Sequence, residues 1–178
     1  LSAHKFYGPK GIGALYVRRK NPRVTLEPLI HGGGHERGLR SGTLNVPLIV
    51  GLGKACENIS QMHAVKTIRD AFEQTLLKKY GNTIEVNGIG ASRLPNTSNI
   101  SFPFKAVDFI RHTKSKLAIS TGSACTSAEN LPSHVLTAMG ISKEKAEKSI
   151  RFSLGKNTTS SEMDIVIGLI ESLVEKQQ

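Results

Sequence analysis

The chain has 178 residues, a formal net charge of +10, 38% apolar residues and 21% charged residues. That composition suits a globular protein with one good core or two smaller ones, and no apolar run reaches the length of a membrane span. The basic residues are scattered, with no zinc-finger spacing, no aromatic-rich RNA-binding strand and no long basic arm, which argues against nucleic acid and leaves acidic proteins or anionic small molecules.

Taken in order, residues 1–5 start abruptly without an initiator methionine, which suggests a fragment. No signal-peptide pattern opens the chain. Residues 7–11 read as a turn, 12–17 as a short strand and 18–23 as a surface loop. The segment His31-Gly32-Gly33-Gly34-His35-Glu36-Arg37-Gly38-Leu39-Arg40-Ser41-Gly42-Thr43 follows, with five glycines in thirteen residues. Such a stretch builds no core. Its glycines let backbone approach a ligand closely, and Gly42-Thr43 offers an N–H and a hydroxyl to a phosphate. The alternatives are a flexible linker and a metal site made by His31, His35 and Glu36. Interleaved histidines, arginines and a glutamate favour a binding loop over a linker. The metal site lacks the helix face that paired histidines need.

From Pro47 the periodicity becomes helical. Ile49, Leu52, Cys56, Ile59, Ile68, Phe72 and Leu76 recur at threes and fours, predicting one long helix over 47–80 that Gly81-Asn82 ends. Cys56 falls on that stripe and is expected in the core. A boundary is expected inside this helix, giving a first domain of residues 1–63 and a second of 64–178. The remainder alternates: strands over 83–86, 98–102, 117–121 and 149–154, and helices over 106–113, 132–139 and 142–148. A capping box at Thr159-Ser160-Ser161-Glu162 opens a last helix. This is a mixed α+β pattern.

The stretch 117–127 runs from a short apolar segment into small residues that flank Cys125. Gly122 and the surrounding serines and threonines predict a loop on which a thiol could swing. A buried, inert thiol is the alternative, because free cysteine is among the most buried residue types. Two cysteines in such unlike settings make no disulfide framework, so a reducing, intracellular compartment is expected.

Four motifs occur in one order: Ser2-Ala3-His4-Lys5 running on to Tyr7-Gly8-Pro9-Lys10-Gly11, the glycine loop at 31–43, the small-residue stretch around Cys125, and Ser149-Ile150-Arg151-Phe152-Ser153-Leu154-Gly155. In combination they resemble the cysteine desulfurases, pyridoxal-phosphate enzymes of the class V aminotransferase group and fold type I. The fold this implies is α/β: the C-terminal part of the large domain of a fold type I transferase, followed by the small α+β C-terminal domain. The resemblance implies that Lys5 holds pyridoxal phosphate covalently. Ser2 and His4 contact its phosphate from one side of an extended segment, and Thr43 reaches the phosphate of a neighbouring subunit, which implies a homodimer. Arg151 would clamp the substrate carboxylate and Cys125 would be the nucleophile that takes sulfur from L-cysteine as a persulfide.

Read without the resemblance, Lys5 is an ordinary surface lysine and Arg151 an edge-strand arginine paired with a carboxylate. With it, the expected partners are L-cysteine, a second copy of the chain and an iron–sulfur scaffold or other sulfur-acceptor protein, as in cluster assembly and tRNA thiolation, with no direct nucleic-acid or membrane contact. The expected location is the cytoplasm, or the mitochondrion in a eukaryote. A selenocysteine lyase and a non-catalytic persulfide relay stay open. The resemblance also implies cofactor contacts upstream of Leu1, including an aspartate for the ring nitrogen, so the chain by itself is expected to bind cofactor weakly and turn over little.

Overall fold

A computed structural model describes residues 1–119 and 133–175, without the side chains of residues 60–63. The chain divides into two units, Leu1–Ser60 and Gln61–Gln178. Among the described residues no helix is long and apolar enough to cross a membrane.

In the first unit a 3₁₀ turn, Ala3–Phe6, is followed by extended chain, a second 3₁₀ turn at Glu36–Gly38, and helix α1, Val46–Glu57. Asn45 starts α1 by accepting the Leu48 N–H on its side-chain oxygen at 3.3 Å, and Pro47 occupies the first turn, where its missing N–H costs nothing. The more buried positions of α1 are Leu48, Gly51, Leu52 and Ala55, a helical stripe. Gly51 lies on that stripe for lack of room, since a Cβ there would come within 2.9 Å of the Pro9 ring.

Two expectations fail in this unit. Cys56 is exposed, because it follows Ala55 by one residue and so points about 100° away from the packed stripe. Residues 12–17 form no strand; a single bridge joins Ser2 to Gly13, flanked by Leu1–Ala14 and Ala3–Ile12 hydrogen bonds. The predicted helix over 47–80 is also two helices. A 3₁₀ turn, Asn58–Gln61, separates α1 from α2, Met62–Tyr80.

The second unit carries a three-stranded antiparallel sheet in the order β1 (Glu85–Val86), β2 (Thr97–Ser101), β3 (Ser149–Ser153). Helices α2, α3 (Ala106–Thr113) and α6 (Ser160–Glu175) contribute to its core, and α4 (His134–Ala138) and α5 (Lys143–Glu147) lead into β3. The register sets Ile100 opposite Ile150 and Ser98 opposite Phe152 on the core face. Phe152 meets Phe72 edge-on with centroids 5.2 Å apart, and Phe102, Phe104 and Phe109 fill the space around it. The capping box forms as expected: Thr159 N–H donates to Glu162 Oε2 at 2.8 Å, and Glu162 N–H donates to Thr159 Oγ1 at 3.3 Å. Residues 117–119 are not in a strand, and the rest of the strand expected over 117–121 lies outside the described residues.

Candidate functional site

The site residues of the first unit sit on or beside two tight backbone features. Ser2 has extended backbone and caps the Ala3–Phe6 turn, with Lys5 N–H donating to Ser2 O at 3.1 Å. The turn thus replaces the extended segment expected for Ser2 and His4, because two bonds close on it: this one and that from Gly8 N–H to Ala3 O at 2.9 Å. Ala3 is fully buried, while Ser2, His4 and Lys5 are exposed. Close packing defines the turn. A Cβ on Gly8 would lie 2.7 Å from the Ala3 Cβ, so position 8 takes only glycine without a shift.

The glycine loop is a folded structure. Ser41 is buried and its N–H donates to Ile30 O at 3.2 Å; Gly42 N–H donates to His35 Nδ1 at 3.3 Å. Glu36 and Arg37 adopt positive φ, 51° and 60°, conformations that non-glycine residues hold only when their surroundings impose them. Gly42, with φ of 121°, delivers the chain to an exposed Thr43. Because His35 Nδ1 accepts the Gly42 N–H, that nitrogen is taken. Among the described residues no group of three His, Cys, Asp or Glu side chains is arranged to hold a metal ion.

In the second unit Arg151 stands at the centre of β3 with an exposed side chain, opposite Asn99 of β2, on the sheet face turned away from the core. A cavity of about 680 Å³ opens beside it. Arg151, Phe152, Ser153 and Leu154 form one wall, Glu162, Met163 and Val166 of α6 another, and Lys116 to Ile119 a third. Ile119 is the last described residue before the segment that holds Cys125, which lies outside the described residues.

Next to Arg151 lies a polar cluster absent from the sequence expectations. Asn87 is buried; its Nδ2, with two N–H groups to give, lies 2.6 Å from Asn99 Oδ1, 2.9 Å from Ser101 Oγ and 3.2 Å from Ser149 Oγ. The alternation Thr97, Asn99, Ser101 in a strand was the available signal, because residues two apart share a face.

The class-V aminotransferase family matches residues 1–166. The cysteine desulfurase IscS of Mannheimia succiniciproducens is 51% identical over 181 residues, which take in 99% of this chain and 44% of that protein. Among solved structures, a NifS-like protein superposes with a TM-score of 0.76 at 36% identity, over 98% of this chain and 45% of its own. SspA, solved in complex with cysteine, superposes with a TM-score of 0.61 at 41% identity, over 89% of this chain and 44% of its own. The chain therefore spans less than half the length of the relatives it matches, and its helix-and-strand architecture is part of the fold type I architecture of pyridoxal-phosphate enzymes. With the family match running from the Lys5 turn through β3 and into α6, the chain belongs to the class-V aminotransferases.

Proposed function

We propose that the protein carrying this chain is a pyridoxal-phosphate-dependent cysteine desulfurase that converts L-cysteine to L-alanine and leaves the sulfur as a persulfide on Cys125. It works as a homodimer in the cytoplasm, or in the mitochondrion of a eukaryote, and passes the sulfur to an acceptor protein such as an iron–sulfur scaffold. Support comes from the desulfurases to which the chain is similar, and from the cysteine named as the ligand of SspA.

The donors on the Ala3–Phe6 turn fit the cofactor. The Lys5 amine can condense with an aldehyde, and the Ser2 hydroxyl and His4 imidazole can donate to a phosphate. All three face solvent from one tight turn. Thr43 adds a hydroxyl, and we assign it to the cofactor of the neighbouring subunit. When bound, pyridoxal phosphate supplies the electron sink that weakens the substrate's C–S bond. Arg151 grips the substrate carboxylate with its planar fork, a match that lysine lacks. The Cys125 thiolate attacks the substrate sulfur; an S–S bond forms as the C–S bond breaks, and the electron pair stays with carbon. Lys5 delivers the proton that completes alanine. Small residues flank Cys125 in the sequence, and its thiolate form is the one that attacks.

The observation that carries this proposal is the cavity that shares its walls between Arg151 and the root of the Cys125 segment. The intact protein, loaded with pyridoxal phosphate and supplied with L-cysteine and a thiol reductant, should release sulfide and alanine in equal amounts. Cys125→Ser should abolish sulfide release while leaving cofactor absorbance unchanged. Cofactor-loaded protein that releases no sulfide would overturn the proposal.

A further inference from the structure

Asn87, the residue that follows β1, Asn99 of β2 and Arg151 of β3 make one row on the face of the sheet away from the core. Asn87 N–H donates to Asn99 O at 2.8 Å, and Asn99 is the register partner of Arg151. The backbone bonds of this ladder fall on the alternate residues: Phe102 N–H donates to Lys148 O at 3.0 Å and Leu154 N–H to Asn96 O at 2.8 Å. Asn99 and Arg151 are therefore a non-hydrogen-bonded pair, the kind that brings Cα atoms to about 4.5 Å and side chains closest together.

The amide of Asn99 is oriented from the β1 side. Asn87, only 5% exposed, donates to Asn99 Oδ1 at 2.6 Å. Asn87 is itself fixed by Ser101 and by Ser149, whose hydroxyl donates to Lys145 O at 2.8 Å. With the oxygen end of the Asn99 amide drawn towards β1, its NH₂ end is left for the Arg151 side of the row. An amide NH₂ carries two donors and a guanidinium carries donors only, so the pair presents N–H groups and no acceptor. Those donors suit an anion with several lone pairs.

We propose that Asn99 is a second recognition residue for the substrate carboxylate, its Nδ2 donating to the group that Arg151 grips. The row thereby selects an α-amino acid over the corresponding amine. A carboxylate offers about four lone-pair sites, enough for the arginine fork and one amide N–H. This rests on the carboxylate role proposed for Arg151, and Asn87 acts only through Asn99.

The test compares L-cysteine with cysteamine, which lacks the carboxylate, in the cofactor-loaded intact protein. It also measures binding of L-alanine and of ethylamine by calorimetry. Asn99→Ala should lower the ratio of kcat/KM for L-cysteine over cysteamine about tenfold, through KM, and weaken L-alanine binding by the same factor with ethylamine unchanged. Asn99→Asp keeps the shape and the acceptor for Asn87 but turns a carboxylate oxygen towards the substrate. It should lower the ratio further with an unchanged melting temperature, and it decides the matter if the alanine variant is unfolded. A ratio within twofold of wild type in either folded variant overturns the inference. Wild type that releases no sulfide but binds L-alanine in an Asn99-dependent way overturns the desulfurase proposal and upholds this one.

Discussion

Arg93 holds Glu73 by both carboxylate oxygens, Nη1 to Oε1 at 2.7 Å and Nη2 to Oε2 at 2.9 Å. The pair fastens the connection between β1 and β2 to α2, where Glu73 is 5% exposed and Arg69 adds a bond from Nη1 to Thr97 O at 3.2 Å. Hydrogen bonding to Glu73 holds the Arg93 guanidinium more firmly protonated than usual, against the opposing effect of burial. Both strands that bear on Arg151, β2 directly and β1 through Asn87, thus depend on a charge pair distant in sequence.

Arg93→Ala leaves Glu73 buried with a lesser partner. The expected loss is about 2 kcal/mol, smaller than for a fully buried pair because Arg93 is partly exposed. A lowered urea midpoint with unchanged m-value would register it.

Gly8→Ala has no way to fit without moving the Ala3–Phe6 turn, since the new methyl would sit 2.7 Å from the Ala3 Cβ. The turn carries Ser2, His4 and Lys5, so cofactor absorbance after dialysis should drop well below that of wild type. A Gly53→Ala control, where a Cβ meets nothing within 4 Å, should leave it unchanged.

Thr159→Ala removes one half of the reciprocal cap on α6. It should cost about 1 kcal/mol of stability, read as a fall in melting temperature. Thr159→Ser, which retains the hydroxyl, should restore most of it.

Asp70 titrates below the ordinary carboxylate range, chiefly because the Lys66 ammonium hydrogen-bonds to it at 2.6 Å, with Arg69 assisting against partial desolvation. A folded pKa below the unfolded one means that the unfolded chain binds the proton more readily. The contribution to stability is therefore complete above about pH 4 and is lost as pH falls through the lowered value. Asp70→Asn should flatten the pH dependence of the urea midpoint in this acid range and leave the slope above pH 5 unaltered.

Arg151→Lys keeps the charge and loses the fork. In the cofactor-loaded protein it should raise KM for L-cysteine by about ten- to a hundredfold, with kcat changing less. Steady-state kinetics that show KM unchanged would remove the carboxylate role from Arg151.

Much of the second unit was legible in the sequence because local rules determined it. The bounds of α3 match the expected 106–113, the Thr159–Glu162 box opens α6, and the alternation of 149–154 yields β3 with Arg151 turned from the core. Cys56 departs from expectation because the stripe through Ile49, Leu52, Cys56 and Ile59 competes with one through Leu48, Leu52 and Ala55. Periodicity identifies an amphipathic helix, but choosing between stripes one residue apart takes a neighbour, here Pro9 against Gly51. Residues 12–17 likewise have strand chemistry, yet a strand exists only where a ladder pairs it, and Leu1 to Ala3 supply just a few bonds.

The residue types needed for chemistry, an amine at 5, a guanidinium at 151 and a thiol at 125, were determined by the sequence alone, because their identity and order are one-dimensional facts. Tertiary structure alone decided that Asn99 lies opposite Arg151, that Asn87 turns its amide, and that Glu73 and Arg93 brace the strand that carries it. Each of these contacts joins residues 12 to 52 positions apart, and no local propensity specifies which partners a strand register or a buried charge will find.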